Sequence, residues 1–441
     1  MFGALRCPRS GRAGACATID AVAYLQSLNT IASLAQTEPY EAVVQQYLTL
    51  IGQHPERVEA YQSLALYACM AGQSAAAHHV IDEGLKLDEA NARSLYIKAR
   101  ICDEDLDLAP AIALYQRSLV LAPADAKCRF HLSLALLTAG DFTAGAGLYG
   151  SRLSAESLAA VGSTPRWRLQ NQGLKVLLWA EQGLGDELMF ARFLPCLREL
   201  SCRFTVQCDR RLISTFSRNH PGLAFIPRGD LAGLLPHFDA QLPLGDLLVI
   251  FHERIASPLV RDSTLKPVAR PDIAAAFAGH GPAKTFIGLS WLSMNADSGL
   301  RRSVPLEQLL GAFSPEQHVL VNLQYLAPAE QLQEIRRSGF ELIDAVDAYN
   351  DVEGLGAAIS HCNTVVTIDN STLHFAGALG CKTLALIPRL ANWRWLLDTE
   401  HCYWYPSVEL VRQQTAGDWS EVLAGLRRRL AGEPYRAAAD S

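Results

Sequence analysis

A spacing of 34 residues constrains the fold of this chain more than any other feature. Tyr61, Leu64, Ala65, Ala68, Ala77 and Ile81 recur as Leu95, Lys98, Ala99, Cys102, Ala111 and Tyr115. A third copy gives Arg129, Leu132, Ser133, Leu136, Gly145 and Tyr149, and Pro55, Glu89 and Pro123 keep the same interval at the end of each second helix. A period of this length means one helix pair per repeat, stacked because a single pair cannot bury its apolar face alone. Small residues at Ala65, Ala99 and Ser133 and at Ala77, Ala111 and Gly145 let the two helices approach. Ile81, Tyr115 and Tyr149 then fill the gap to the next repeat. An earlier half-repeat shows as Val43, Tyr47, Leu50 and Pro55, and residues 19–36 before it are expected to cap the array. Stacked pairs leave a concave groove, which either holds a partner or acceptor peptide or serves as a spacer or dimer surface.

The pattern resembles the tetratricopeptide repeat, with Lys98 and Arg129 departing from its usual apolar choices, and the array is expected over residues 18–155. Residues 1–17 carry Arg6, Arg9 and Arg12, no acid and no apolar core of a secretory signal, and read as a disordered leader. Asp103-Glu-Asp105 has the Asp-x-Asp spacing that holds a metal–nucleotide in one class of sugar transferase. Here it falls in the turn between repeat helices, where acids are ordinary, and no metal is expected. With 49% apolar and 19% charged residues over 441 positions, global disorder is excluded. The charge, 39 − 45 = −6, argues against nucleic acid as a partner, because phosphate neutralisation needs a basic surface. No apolar run reaches the ~18 residues of a membrane span. The eleven cysteines include no Cys-x-x-Cys pair, Cys196, Cys202 and Cys208 being the tightest series. They read as buried thiols of a cytoplasmic protein rather than as a metal site.

From about residue 174 the period gives way to alternating strands and helices. Strands are expected at Lys175–Ala180, Arg203–Cys208, Phe238–Leu242, Phe286–Trp291, Val319–Leu323, Glu341–Ile343, Thr364–Ile368 and Lys382–Ile387. Helices are expected at Glu187–Leu200, Leu306–Phe313, Pro328–Arg337, Val352–His361, Thr372–Leu379 and Trp419–Leu430. The alternation implies two doubly wound α/β units, over residues 165–280 and 283–430, facing each other across a cleft suited to a nucleotide. The stretch 244–282, rich in Pro, Gly and Asp, reads as the segment that crosses between them.

Three segments carry chemistry. In Glu181-Gln182-Gly183-Leu184-Gly185-Asp186, the two glycines allow a tight turn close to a ligand. Asp186 is either a helix cap or a carboxylate that takes a proton from a hydroxyl. The third glycine of a dinucleotide fingerprint is missing. Arg301-Arg302, between a strand and a helix, form either a phosphate clamp or a solvated pair. In Thr367 to Gly380, a strand delivers Asp369 to its sheet edge, and Asn370, Ser371 and Thr372 open a helix whose N–H groups form an anion site within reach of His374. The aromatics of Asn392-Trp-Arg-Trp395 and Tyr403-Trp-Tyr-Pro406 either stack on a ligand or pack the last helix back across both domains. Most read as core, with Trp393 and Arg394 as exposed candidates.

These segments in this order resemble bacterial tetratricopeptide-repeat proteins with a heptosyltransferase-like, family 9 type, glycosyltransferase domain. The matching pieces are Trp179 to Asp186, Phe190 to Pro195, Arg302 to Leu306, Leu323-Gln324, Asp369 to Gly380, Trp393 to Leu397, Trp404 to Pro406 and Gly417 to Trp419. The resemblance implies a helical array followed by a GT-B pair of Rossmann-like domains, a nucleotide-sugar donor as co-substrate, and no cofactor or metal. It implies Asp186 as the base, Arg302, Asn370, Ser371, Thr372 and His374 at the donor diphosphate, and Gln182, Gly183, Gly185, Gln324, Asp369, Trp393 and Arg394 in support. The array would suit a protein acceptor, flagellin or another surface protein. The alternatives are an oligosaccharide or lipid-linked acceptor, a nucleotide-sugar epimerase, and a non-catalytic scaffold with a relic transferase fold.

Overall fold

The computed structural model describes residues 17–35, 37–262, 265–280, 284–295, 299–397 and 399–432. The leader expected over residues 1–17 lies outside them save for Ala17. The chain divides into two compact units, Met1–Arg152 and Leu153–Ser441.

The first unit is a run of helices: α1 (Ala17–Leu34), α2 (Tyr40–Gln53), α3 (Val58–Met70), α4 (Ser74–Leu87), α5 (Ala92–Glu104), α6 (Leu108–Leu121), α7 (Ala126–Thr138) and α8 (Phe142–Tyr149). The repeat spacing is realised in packing. Ala65, Ala77, Ala99 and Ala111 are fully buried where helices meet. A Cβ on Gly145 would lie 2.7 Å from the Leu137 side chain. Ser133 replaces alanine because its hydroxyl donates to the Gly145 carbonyl at 2.7 Å. Lys98 departs from the pattern because its ammonium reaches back to Asp82 at 2.5 Å. The period extends to backbone conformation: Gly72, Leu106 and Gly140, 34 residues apart, end their helix turns with φ of 73°, 66° and 85°. Leucine in that left-handed position costs roughly 1–2 kcal/mol that glycine does not.

The acidic turn has protein partners. Asp105 accepts from the Ser74 hydroxyl and from His78, and Asp103 accepts from the Tyr115 hydroxyl at 3.2 Å. Beside Asp103, Arg100 donates to His131 Nε2 at 2.9 Å while His131 Nδ1 donates to the Lys127 carbonyl at 2.8 Å, so the ring is held neutral. Burial pushes Asp103 up to about 6, and burial together with Arg100 holds His131 down at about 4. The two act in opposite directions. Asp103, raised in the folded state, contributes stability that is complete below its unfolded value and lost as pH rises through 6. His131, depressed, contributes stability present above its unfolded value of 6.5 and lost as pH falls through 4. Between pH 4 and 6 the slopes oppose, so the native array should hold a nearly constant stability. Asp103→Asn leaves only the histidine slope, and acidification from neutrality to pH 4 should then cost the array about 3 kcal/mol. Amide exchange in α5 to α7, corrected for the intrinsic pH dependence, checks this, and an unchanged pH profile in the variant would refute it.

The second unit holds two parallel sheets. In the first, β1 (Lys175–Trp179), β2 (Arg203–Cys208), β3 (Ala224–Pro227) and β4 (Ala240–Pro243) stand in the order β3-β2-β1-β4. In the second, β5 (Thr285–Ser290), β6 (His318–Asn322), β7 (Glu341–Ile343), β8 (Thr364–Ile368), β9 (Thr383–Ile387) and β10 (Val408–Arg412) stand in the order β10-β9-β8-β5-β6-β7. The strand order reverses beside β1 and again beside β5, the two switch points where open parallel sheets place ligands. The array of helix pairs followed by two Rossmann-like domains is the architecture expected from the sequence.

Several elements differ from expectation. The edge strands β3 and β10 were not anticipated: β3 has four residues ending in Pro227, and β10 follows an aromatic cluster. The helix expected at Glu187–Leu200 is instead α9 (Leu184–Phe190), a 3₁₀ turn and a short helix Leu194–Leu197, because Pro195 has no N–H to continue the ladder. The stretch 244–282, read as the segment that crosses between the domains, includes a helix, Pro271–Ala278, that packs on the second, with the Phe277 ring 5.0 Å from Phe286 and 4.9 Å from His361. The terminal helix (Ser420–Leu430) does not bridge both domains as expected. With Trp419 it buries Val422, Leu423 and Leu426 in the core of the second sheet, against residues such as Leu289, Leu309 and Val411. Among the described residues no helix is long and apolar enough to cross a membrane.

Candidate active site

The loop after β1 leads into α9, with Gly183 as the residue before its first turn. Asp186 is therefore the third residue of the helix and not its cap. One carboxylate oxygen accepts the Gly183 N–H at 3.1 Å. The other is paired with Arg394 from the opposite domain. Trp393 and Arg394, expected to be exposed, are only 5% and 9% exposed. They sit in a 3₁₀ turn capped by Asn392 and packed under Trp404, which lies 5.8 Å from the Trp393 ring.

The loop is pinned from below by residues that sequence reasoning did not single out. Glu187 is 1% exposed, and burial raises its pKa. It accepts the Asp209 N–H at 2.8 Å and the Arg228 Nε at 2.7 Å, and Arg228 also reaches the Gln182 carbonyl. Gln182 in turn donates to Glu181, which accepts the Gly245 N–H. The only hint in the sequence was a glutamate adjoining Asp186.

On the other side, β8 ends at Ile368, just before Asp369, and leads into α12 (Ser371–Ala378); the helix that precedes β8, Val352–His361, is α11 and that which precedes β3, Ile213–Asn219, is α10. Asn370 caps α12, its carbonyl accepting from the N–H groups of Thr372 and Leu373, while its amide donates to Ser290 at 2.8 Å. The Thr372 hydroxyl donates to the Leu323 carbonyl. These two side chains, expected at a diphosphate, are committed to the fold; the half-buried Ser371 and the start of α12 border the cleft. Arg302 donates to the Asp369 carbonyl at 3.3 Å and lies 3.7 Å from its carboxylate. Burial pushes Asp369 up, with Arg302 and Trp395 opposing. Gln324 is wholly structural: it accepts from Ser290, Trp291 and Leu292 and donates to two carbonyls.

His374 does not open onto the cleft. It is 4% exposed, and burial, then Arg302, holds its pKa down at about 3, so it carries no charge for a phosphate. Its ring stacks on Trp395 at 5.2 Å, and Nδ1 meets the Tyr405 hydroxyl at 3.0 Å. Gly185 shows why that loop needs glycine: a Cβ there would lie 2.9 Å from the His374 ring and 3.6 Å from Ser371 Cα. The starts of α9 and α12 therefore touch across the cleft. Tyr405 takes Arg192 of the first domain over its ring at 4.9 Å. Nearby, a cavity of about 120 Å³ is lined by Leu184, Arg211, Tyr325, Tyr349, Ser371 and Thr372. Arg211 closes it by donating to the Tyr349 carbonyl at 2.8 Å. Among the described residues no three His, Cys, Asp or Glu side chains converge as a metal site.

No protein-family model matches the chain. A curated relative, Protein FlbA of Caulobacter vibrioides, is 25% identical over 410 residues, which cover 85% of this chain and 67% of that one. Among solved structures, the ADP-heptose LPS heptosyltransferase II of E. coli aligns with 58% of this chain and 99% of its own, at 13% identity and a TM-score of 0.42. A mutant O-GlcNAc transferase of Thermobaculum terrenum aligns with 94% of this chain and 91% of its own, at 14% identity and a TM-score of 0.35.

Proposed function

We propose that this protein is a metal-independent, inverting glycosyltransferase that moves a sugar from a nucleotide-sugar donor to a protein acceptor held by the helical array. The observation that carries the reading is the meeting of Asp186, from the switch point of one sheet, with Arg394 and the start of α12 from the other. A carboxylate on one wall of a cleft, facing cationic groups and helix N–H groups on the other, is what a displacement at an anomeric carbon requires. The acceptor oxygen attacks that carbon while its proton passes to Asp186, and the bond to the donor diphosphate breaks on the opposite face. The departing charge is met by the positive end of α12 at Ser371, whose next two N–H groups Asn370 already caps, and by Arg302, which Asp369 holds in place. Flagellin or another surface protein is the acceptor class to try first.

A cavity of about 120 Å³ favours a second reading, the scaffold, since it is smaller than the roughly 300 Å³ at which ligand pockets begin. One experiment separates the two. The full chain is heated with UDP-, GDP-, ADP-, dTDP- and CMP-sugars in EDTA, and release of free nucleotide is followed. A transferase should be stabilised by one donor and should hydrolyse it slowly without metal. Indifference to all of them, well above ordinary Michaelis constants, would leave the scaffold.

A further inference from the structure

Resting on the glycosyltransferase reading, we propose that Arg394 is a positioning residue that passes from Asp186 to the donor diphosphate, so that donor binding itself releases the base. The pair joins two domains, one partner on α9 and the other in the turn Trp393–Trp395. The cavity between the walls, about 120 Å³ and lined by Leu184 of one wall and Ser371 and Thr372 of the other, is too small for a nucleotide. A donor enters only if the walls part, and parting them draws Arg394 off the carboxylate.

The local geometry suits that exchange. Asp186 keeps the Gly183 N–H on its second oxygen, so the carboxylate stays oriented when the guanidinium leaves. The start of α12 adjoins the residue before Asp186, an ideal Cβ on Gly185 lying 3.6 Å from Ser371 Cα. The turn that carries Arg394 also packs on α12, Trp395 stacking on His374 at 5.2 Å, so a diphosphate at the Ser371 end of α12 would lie in the neighbourhood of the guanidinium. A guanidinium fork binds phosphate oxygens in pairs, as it binds a carboxylate. The backbone after Arg394 is also held in a costly shape: Leu396 has φ 54° and ψ −167°, a region that glycine alone visits readily. While the pair is made, the Asp186 oxygen facing Arg394 is unavailable to an acceptor hydroxyl.

If Arg394 is shared in this way, the two partners must have opposite effects on nucleotide affinity. Titration calorimetry of the full chain with UDP, GDP, ADP and dTDP reads it. Asp186→Asn, which weakens the competing partner, should tighten the bound nucleotide about tenfold, and Arg394→Gln should weaken it about tenfold. The double variant should match Arg394→Gln. Arg394→Lys keeps a charge without the fork and should fall between, which covers the case in which the glutamine variant does not fold. A merely structural bridge would give losses from both partners, and that result, or no change in Asp186→Asn, would overturn the exchange while leaving the transferase reading intact. Failure of the unaltered chain to bind any of the four would overturn the exchange, and indifference to the sugar donors as well would overturn both.

Discussion

Asp186→Asn is expected to lower sugar transfer about a thousandfold while donor binding survives. General-base assistance is worth about 10²–10⁴ in rate, and asparagine has no lone pair basic enough to replace the carboxylate. The substitution keeps the side chain's shape. The amide oxygen can still accept the Gly183 N–H that now goes to Asp186 at 3.1 Å, so α9 should keep its first turn. Glu187 next door cannot stand in, because it is buried on Asp209 and Arg228. Steady-state transfer, or donor hydrolysis where the acceptor is unknown, measures the loss, and thermal shift with the donor shows that the site is intact. Transfer at the unaltered rate, with donor bound, would remove Asp186 from the mechanism.

The parts of the fold that were legible in the sequence are those with a strong period. The interval of 34 residues predicted the helix pairs, and runs of apolar or β-branched residues such as Val176–Trp179 and Thr364–Ile368 predicted central parallel strands. The strands that were not legible, β3 and β10, are edge strands without a continuous apolar run: none of Ala224–Pro227 is buried, and Glu409 and Arg412 interrupt Val408–Arg412. The candidate site shows a different boundary. Its residue types and loops were visible, because glycines, paired arginines and a polar helix start leave a local mark. What each side chain touches was not, since it depends on contacts over hundreds of positions. Asp186 meets Arg394 across 208 residues, and Ser290 accepts from Asn370 across 80. His374 and Arg394 therefore both leave their expected places, the histidine buried and neutral in the seam, the arginine buried against the carboxylate.

That seam explains why so many of the motifs are aromatic or small. The two halves of the cleft are held by packing as much as by charge. Phe193 meets Trp404 at 6.1 Å, Arg192 covers Tyr405, and Gly185 lies against His374. On the other flank, Ser214 and Arg218, of α10, both reach Glu353 at the start of α11. Residues that resemble a transferase's motif set thus set the separation of the two walls before any ligand is present.

Tyr405→Ala should show how much of the second unit's stability lies there, with an expected loss of about 4 kcal/mol or more. The ring is fully buried, and truncating a buried aromatic costs about 3–5 kcal/mol through lost transfer energy and the cavity left behind. Two further losses follow. Arg192, whose pKa burial already lowers, loses the face of the ring, and His374 loses the hydroxyl on Nδ1, so two polar groups are left buried with fewer partners. Gly377 cannot close the gap, because it is the absence of its side chain that admits the ring: a Cβ there would lie 2.5 Å from Tyr405. Tyr405→Phe separates the contributions, since it keeps the volume and the ring face and removes only the hydroxyl, for about 1–2 kcal/mol. All seven tryptophans, Trp167, Trp179, Trp291, Trp393, Trp395, Trp404 and Trp419, belong to the second unit, so urea unfolding followed by their fluorescence reports on it without interference from the array. Equal losses in the two variants would place the energy in the hydroxyl and His374, and a loss under 1 kcal/mol in Tyr405→Ala would mean that the seam is held by its ion pairs, Asp186–Arg394 foremost.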